Sequence, residues 1–207
     1  DISANIQRYI SEVVPDLPDT ASMYLDKDRP ETIFRLQSTE NHDEYFKSLY
    51  NDRRFVNLAN TLLDDDVVTI SMQWFNKPAR EGKETPPHQD GFYWQLEPNE
   101  ALTMWLAPDV VDEENGCIRY LPRSHKRDFR VHQPSGTASF SQGVTDYGDA
   151  DYEVEHPIHA VPGDMTVHLA MIVHRADPNT SENKSRQALG FVYFPVRAKM
   201  DQERGER

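Results

Sequence analysis

The sequence predicts a mainly β protein, with helices on its N-terminal side packed against a β-sandwich or barrel. Three observations carry this. Helical periodicity is confined to the first third of the chain. After Asp66 the residues become β-branched and aromatic, in short runs that recur as far as residue 196. Turn signals separate the runs: Pro78, Asn115-Gly116, Pro162-Gly163-Asp164 and Pro178-Asn179. Helices followed by many strands favour helices segregated onto a β core.

Ile2, Ile6, Tyr9, Ile10, Val13 and Val14 recur at helical spacing, so residues 2–14 read as an amphipathic helix ending before Pro15. Met23-Tyr24-Leu25 and Ile33-Phe34-Arg35-Leu36 suggest strands. Asn41 and Asp52 are N-cap candidates for helices near 42–50 and 53–63. Val67 to Phe75 reads as a strand, and further strands are expected at 101–107, 117–121, 158–161, 165–173 and 187–196. Residues 122–157 mix Pro, Ser, Gly and Asp with scattered aromatics and show little periodicity. They read as a long loop, either a surface excursion or a lid. The expectation is one domain over 1–207, with a helical part to about residue 66 and a β core over about 67–196.

The 207 residues are 37% apolar and 10% aromatic, enough for a substantial core. Asp and Glu number 35 against 22 Lys and Arg, a net charge of −13. That balance disfavours nucleic acid or an anionic membrane as partner, because phosphates are bound by clustered cations. Cys117 is the sole cysteine, which fits a reducing compartment. No apolar run approaches the roughly 18 residues of a membrane span. A cytoplasmic location is the expectation; oligomeric state is left open.

The string His88-Gln89-Asp90 carries chemistry. Residues i and i+2 of a strand share a face, so His88 and Asp90 would point together. With a second imidazole they would form a 2-His-1-carboxylate face that leaves three positions open on a divalent metal, the pattern of non-haem Fe(II) oxygenases. Such a string is common by chance, and the third ligand has to come from afar. His168 and His174 stand six residues apart, so strand parity would place both on one face. Either could be a hydrogen-bonded core histidine. His174 is favoured because it follows the strand begun by the Pro162-Gly163-Asp164 turn, where loops and chemistry begin. Arg186 opens the next strand, and antiparallel pairing would return it toward His174. A guanidinium there can grip a carboxylate, such as one end of 2-oxoglutarate, through two parallel hydrogen bonds. The competing role is a surface arginine paired with an acid.

Pro86-Pro87-His88-Gln89-Asp90-Gly91-Phe92-Tyr93 resembles the proximal metal motif of the phytanoyl-CoA dioxygenase family. Trp105-Leu106-Ala107-Pro108-Asp109, the Glu114-Asn115-Gly116 turn and Pro122-Arg123-Ser124-His125 resemble its next block. Gly163-Asp164, His174, Asn179 and Arg186 resemble its distal block, so the likeness runs over roughly 67–196. It implies a double-stranded β-helix, a jelly-roll, cupin-like core with iron between two sheets. It implies Fe(II) on His88, Asp90 and His174, and 2-oxoglutarate on Arg186, with Thr103 and Trp105 beside it and Gln73 on the pocket wall. It implies hydroxylation of a small molecule by O2, with release of succinate and CO2. Phe92 and Tyr93 are candidates for the pocket wall, and Arg123 and His125 for contact with an anionic substrate. Arg123 stands where the family usually has glycine, and Arg175, Ala176 and Asp177 where it has small hydroxylated residues. Asp90 is retained, whereas halogenating relatives have a small residue there, so hydroxylation is expected. The residues alone leave two other readings open: a cupin-like metalloenzyme without 2-oxoglutarate, and a non-catalytic jelly-roll binding module.

Overall fold

The computed structural model describes residues 1–137 and 140–200. Helix α1, Ile2–Arg8, is capped by the Asp1 carboxylate, which accepts from the Ser3 amide. The chain continues as a wider helical turn over Tyr9–Val13 and a tight turn over Val14–Asp16. The single helix expected over 2–14 is therefore broken: α geometry stops at Arg8, and the run passes through Pro15 to end at Leu17, which is extended. Strands β1 (Ser22–Tyr24) and β2 (Ile33–Gln37) pair antiparallel. Helix α2, Glu44–Tyr50, is capped by Asp43, which accepts from the amides of Tyr45 and Phe46. Asn41, the expected cap, lies two residues too early, at the end of a short 3-10 turn. Helix α3, Arg53–Leu63, is capped by Asp52, as expected.

The remaining elements are β3 (Val67–Lys77), β4 (Thr85–His88), α4 (Gly91–Trp94), β5 (Leu96–Glu97), β6 (Leu102–Leu106) and β7 (Ile118–Tyr120). Then follow β8 (His132–Thr137), β9 (Phe140–Val144), α5 (Asp149–Tyr152), β10 (His156–Ile158), β11 (Met165–Leu169), β12 (His174–Ala176), β13 (Arg186–Pro195) and β14 (Lys199–Met200). Six strands form one antiparallel sheet in the order β1-β2-β3-β13-β6-β11; four form another, β10-β7-β12-β4. Together they make the jelly-roll core.

The period of two along a strand sorts the residues of the larger sheet onto two faces. Met72 and Trp74, Leu102, Met104 and Leu106, Leu189 and Phe191, Met165 and Val167 lie on one. They pack under Ile6, Tyr9, Phe46, Leu49, Ala59 and Leu63 of the helical layer. Full burial of each large apolar side chain contributes about 1.5–3 kcal/mol. The intervening residues, Gln73, Phe75, Thr103, Trp105, His168, Arg186 and Val192, turn to the other face and line a cavity shared with the smaller sheet.

Three expectations are corrected. Residues 122–157 are not one long loop: they hold the β8–β9 hairpin, α5 and β10. Pro134, Gly136 and Gly143 and the hairpin's exposed faces erase the alternation by which strands are read. The strand expected at 158–161 lies at His156–Ile158, with Ala160 forming an isolated bridge to Val111. The strand expected at 165–173 stops at Leu169, where a turn closed by the Ile172 amide on the Leu169 carbonyl carries the chain to the other sheet. Among the described residues no helix is long and apolar enough to cross a membrane.

Candidate active site

Strand register builds the site from two facing rows. In the smaller sheet His174 pairs with Tyr120 on one side and His88 on the other. In the larger sheet Thr103 pairs with His168 on one side and Val192 on the other. His168 and His174 therefore belong to opposite sheets rather than to one strand face, and their rings meet at 4.7 Å between centroids.

Asp90 does not share a strand with His88. β4 ends at His88, and Asp90 has helical backbone angles, φ −55° and ψ −38°, at the start of α4. The turn is held by the Gly91 amide on the Ala170 carbonyl, 2.9 Å. Gln89 is fully buried and pins it. Its Nε2 donates to the Met171 carbonyl, its Oε1 accepts from the Arg130 amide, and its own amide donates to His132 Nε2. The two candidate ligands converge through this turn.

His88, Asp90 and His174 form a group able to hold a metal ion, with one ligand atom from each lying within 4.8 Å of the others. Asp90 Oδ1 stands 3.5 Å from His88 Nε2 and 3.9 Å from His174 Nε2. Each ring turns Nδ1 to the carbonyl two residues before it, Pro86 at 2.8 Å and Ile172 at 3.2 Å. A carbonyl only accepts, so Nδ1 carries the proton and Nε2 presents its lone pair, as metal ligation requires. Burial, and then the neighbouring His88, hold the His174 pKa well below the usual histidine range, so it stays neutral. Burial opposes ionisation of Asp90, but His174 beside it and the hydrogen bond from His168 hold it well below the usual carboxylate range. Two imidazoles and one carboxylate suit divalent iron.

The cavity beside this cluster has a volume of about 380 Å³. Arg186 lines it, 4% exposed, with its guanidinium carbon 5.2 Å above the Trp105 ring. Arg186 pairs with Lys77 of β3, not with β12, so it reaches the cluster from the opposite sheet rather than by hairpin return. Among the described residues its buried Nε has no hydrogen-bond partner, and Asp109 acts on it electrostatically without forming an ion pair. Burial pushes its pKa down to about 10, which leaves it charged at neutral pH. A buried guanidinium facing a cavity in this way fits a carboxylate. Gln73 also lines the cavity, its Oε1 accepting from Arg35 at 2.6 and 2.9 Å. Thr103 donates to Asp90 Oδ2 at 2.9 Å.

Tyr93 lines the cavity, but Phe92 does not: it stacks on His132 at 4.1 Å. Arg123 and His125 are also absent from the lining. Arg123 has φ +65°, the left-handed region that glycine occupies without cost, which accounts for the glycine usual at this place. Its neighbour Ser124 accepts from the Val173 amide at 2.7 Å and so steadies the residue before His174.

Sequence reasoning missed Tyr120 and Lys77. Lys77 is buried, and its Nζ donates to the carbonyls of Lys83 (2.7 Å), Asp177 (2.5 Å) and Ala176 (3.4 Å). It ties the end of β12 to the end of β3. Burial and then the Arg186 charge depress its pKa well below the lysine range. A lysine ending a strand carries no signal of this in sequence, since the usual place for such a side chain is solvent.

Comparison with known proteins places the chain in a family and a fold. The family model described as Phytanoyl-CoA dioxygenase (PhyH) matches residues 20–188. The chain is similar to the phytanoyl-CoA dioxygenase domain-containing protein 1 of Rattus norvegicus: 31% identical over 157 residues, 72% of this chain and 53% of the rat protein. It is similar to the peroxisomal phytanoyl-CoA dioxygenase of Bos taurus, 24% identical over 180 residues, 82% of this chain and 51% of that protein. The chain thus spans about half the length of the curated relatives it matches. Among solved structures it resembles EctD from S. alaskensis with 2-oxoglutarate and 5-hydroxyectoine: TM-score 0.75, 16% identity, 97% of this chain and 68% of that one. It also resembles the epimerase SnoN in complex with Fe3+, alpha ketoglutarate and nogalamycin RO: TM-score 0.71, 20% identity, 95% of this chain and 77% of that one. At these identities the structural likeness speaks to the fold.

Proposed function

This chain belongs to the phytanoyl-CoA dioxygenase (PhyH) family, and from that premise we propose that it is an Fe(II)- and 2-oxoglutarate-dependent dioxygenase that hydroxylates a small molecule, releasing succinate and CO2. The observation that carries the reading is a buried Arg186, without an ion pair among the described residues, lining the same cavity as the His88–Asp90–His174 cluster. Asp109 acts on Arg186 electrostatically without an ion pair to it, so the close carboxylate partner of the guanidinium would be a guest in the cavity, such as the co-substrate.

In this reading His88 Nε2, Asp90 Oδ1 and His174 Nε2 hold iron, and Arg186 holds the distal carboxylate of 2-oxoglutarate. Bound iron and co-substrate supply the oxidation itself: activation of O2, coupled to decarboxylation of 2-oxoglutarate. The protein's share is placement and exclusion of water. Trp105 under the guanidinium fixes the direction in which it points. Thr103 holds Asp90 from behind. Tyr93, Phe75 and Trp94 give the cavity an aromatic wall suited to the apolar part of a substrate.

The test is succinate formation from 2-oxoglutarate by the iron-loaded protein across a panel of small molecules, alongside calorimetric titration of Fe(II) and of 2-oxoglutarate. The reading expects iron to bind first and 2-oxoglutarate to bind only with metal present. Absence of binding for either would reject it.

A further inference from the structure

His88, His132 and His174 share one hydrogen-bond pattern. In each, Nδ1 faces the carbonyl two residues earlier, at 2.8 Å for His88 and His132 and 3.2 Å for His174. His168 is reversed. Its Nδ1 lies 2.7 Å from the Tyr120 hydroxyl, and its Nε2 lies 3.2 Å from Asp90 Oδ2. A carboxylate can only accept, so Nε2 carries the proton and donates to Asp90. Nδ1 is then the acceptor, and Tyr120 donates to it. Burial keeps the Tyr120 pKa above its ordinary value, so the hydroxyl retains the proton it donates. His168 is 6% exposed and spends both ring nitrogens in this chain, which explains why it stands beside the cluster without joining it.

The chain ends on one particular oxygen. Asp90 Oδ2 accepts from His168 Nε2 and from Thr103 Oγ1, two residues paired across β6 and β11. Asp90 Oδ1 is the oxygen that faces His88 and His174. We propose that Tyr120 and His168 are positioning residues that make Asp90 a one-oxygen ligand, through Oδ1 alone. Turning the carboxylate to offer both oxygens would break both bonds to Oδ2, and the second oxygen would occupy a position that co-substrate or O2 needs. Tyr120 acts at one remove, holding His168 in the tautomer that donates. The proposal rests on the metal reading given above. It concerns which atoms hold the metal, and so can be read without turnover.

The experiment is cobalt(II) titration of the metal-free protein, followed by visible absorption, whose bands report coordination number and ligand geometry. Wild type is compared with Tyr120→Phe, His168→Phe, His168→Gln and His88→Ala, each checked for fold by circular dichroism. His168→Phe is expected to weaken cobalt binding by about 10–100-fold and to shift the absorption bands. Tyr120→Phe, which keeps the ring, should shift them in the same direction by less. His168→Gln, whose side-chain amide can donate to Oδ2 from the same place, should restore the wild-type spectrum. A histidine that merely fills the core would lower the melting temperature when replaced and leave the spectrum unmoved. Folded His168→Phe and Tyr120→Phe with wild-type affinity and bands would overturn the proposal. If His168→Phe does not fold, Tyr120→Phe and His168→Gln decide. If wild type binds no cobalt, or His88→Ala binds it equally well, the metal reading itself fails. If only the positioning variants are silent, the metal reading stands without this refinement.

Discussion

His88 and His174 are direct cross-strand partners on β4 and β12, with ring centroids 4.2 Å apart. Their spacing is therefore set by strand pairing rather than by loops. Replacing either with Ala should abolish Fe(II) binding and turnover while leaving the fold intact. Iron stoichiometry and far-ultraviolet circular dichroism check this together. Full iron occupancy in His174→Ala would move the third ligand elsewhere, with His168 first to be examined.

Arg186 supplies a second expectation. Arg186→Ala should cost 2-oxoglutarate binding about 2–5 kcal/mol, the usual loss on truncating one partner of a buried charge pair. Arg186→Lys should mainly raise the concentration of 2-oxoglutarate required, because an ammonium cannot reproduce a two-pronged grip. Unchanged calorimetric binding in Arg186→Ala would remove the co-substrate assignment.

His132 makes the β8–β9 hairpin sensitive to acid. Its Nδ1 donates to the Arg130 carbonyl and its Nε2 accepts from the Gln89 amide, so it must be neutral. Burial lowers its folded pKa below the unfolded value of about 6.5. The unfolded state then binds the proton more readily. The contribution to stability is complete above pH 6.5 and declines as pH falls toward the folded value. Amide exchange in β8 and β9, corrected for its intrinsic pH dependence, should accelerate below pH 6.5 in wild type. His132→Phe should flatten that dependence.

Glu155 anchors the segment that carries this hairpin. Its side chain, 4% exposed, takes both Oε atoms to the Arg175 guanidinium and also accepts from Tyr147. Glu155→Ala would leave the mostly buried Arg175 half paired, through Asp177 alone. A destabilisation of about 3–5 kcal/mol is expected from urea unfolding, in line with breaking a buried ion pair from one side. The ends of 122–157 should then exchange amides faster, while β3 and β13 remain protected. In wild type, exchange across the hairpin should slow when 2-oxoglutarate and substrate bind, as a water-excluding cover requires.

What was legible in the sequence follows the physics of each element. Met72, Gln73, Trp74 and Phe75 sit in a long strand with a distinct face on each side, so the strand could be read directly. Asp52 could be named as a cap because capping is local. The His88–Asp90 pairing was anticipated for a reason the structure does not use: a turn closed by Gly91 and Gln89, rather than strand parity, brings them together. His168 and His174 looked like one face of one strand because nothing in Leu169–Val173 announces that the chain changes sheets. Tyr120 could not be read at all. Its partner is 48 residues away, and only the register of β7 against β12 places it in the row. The hairpin stayed hidden because Gly and Pro within it are the same residues that mark loops.

The bonding of Gln89 has a thermodynamic consequence. This residue lies between two candidate ligands and is bonded to His132 at the base of the hairpin and to the Arg130 amide before it. The hairpin in turn reaches Tyr93 through Gln142 and lines the cavity with Thr137. A molecule that enters the cavity by displacing the hairpin therefore pulls on the segment that spaces the ligands. Any such pull appears as a coupling free energy, and coupling is reciprocal: if the guest changes the affinity for metal by some factor, metal changes the affinity for the guest by the same factor. Occupancy of one compartment would then be measurable from the other, and a guest could be found by the way it alters a metal titration before any product is identified.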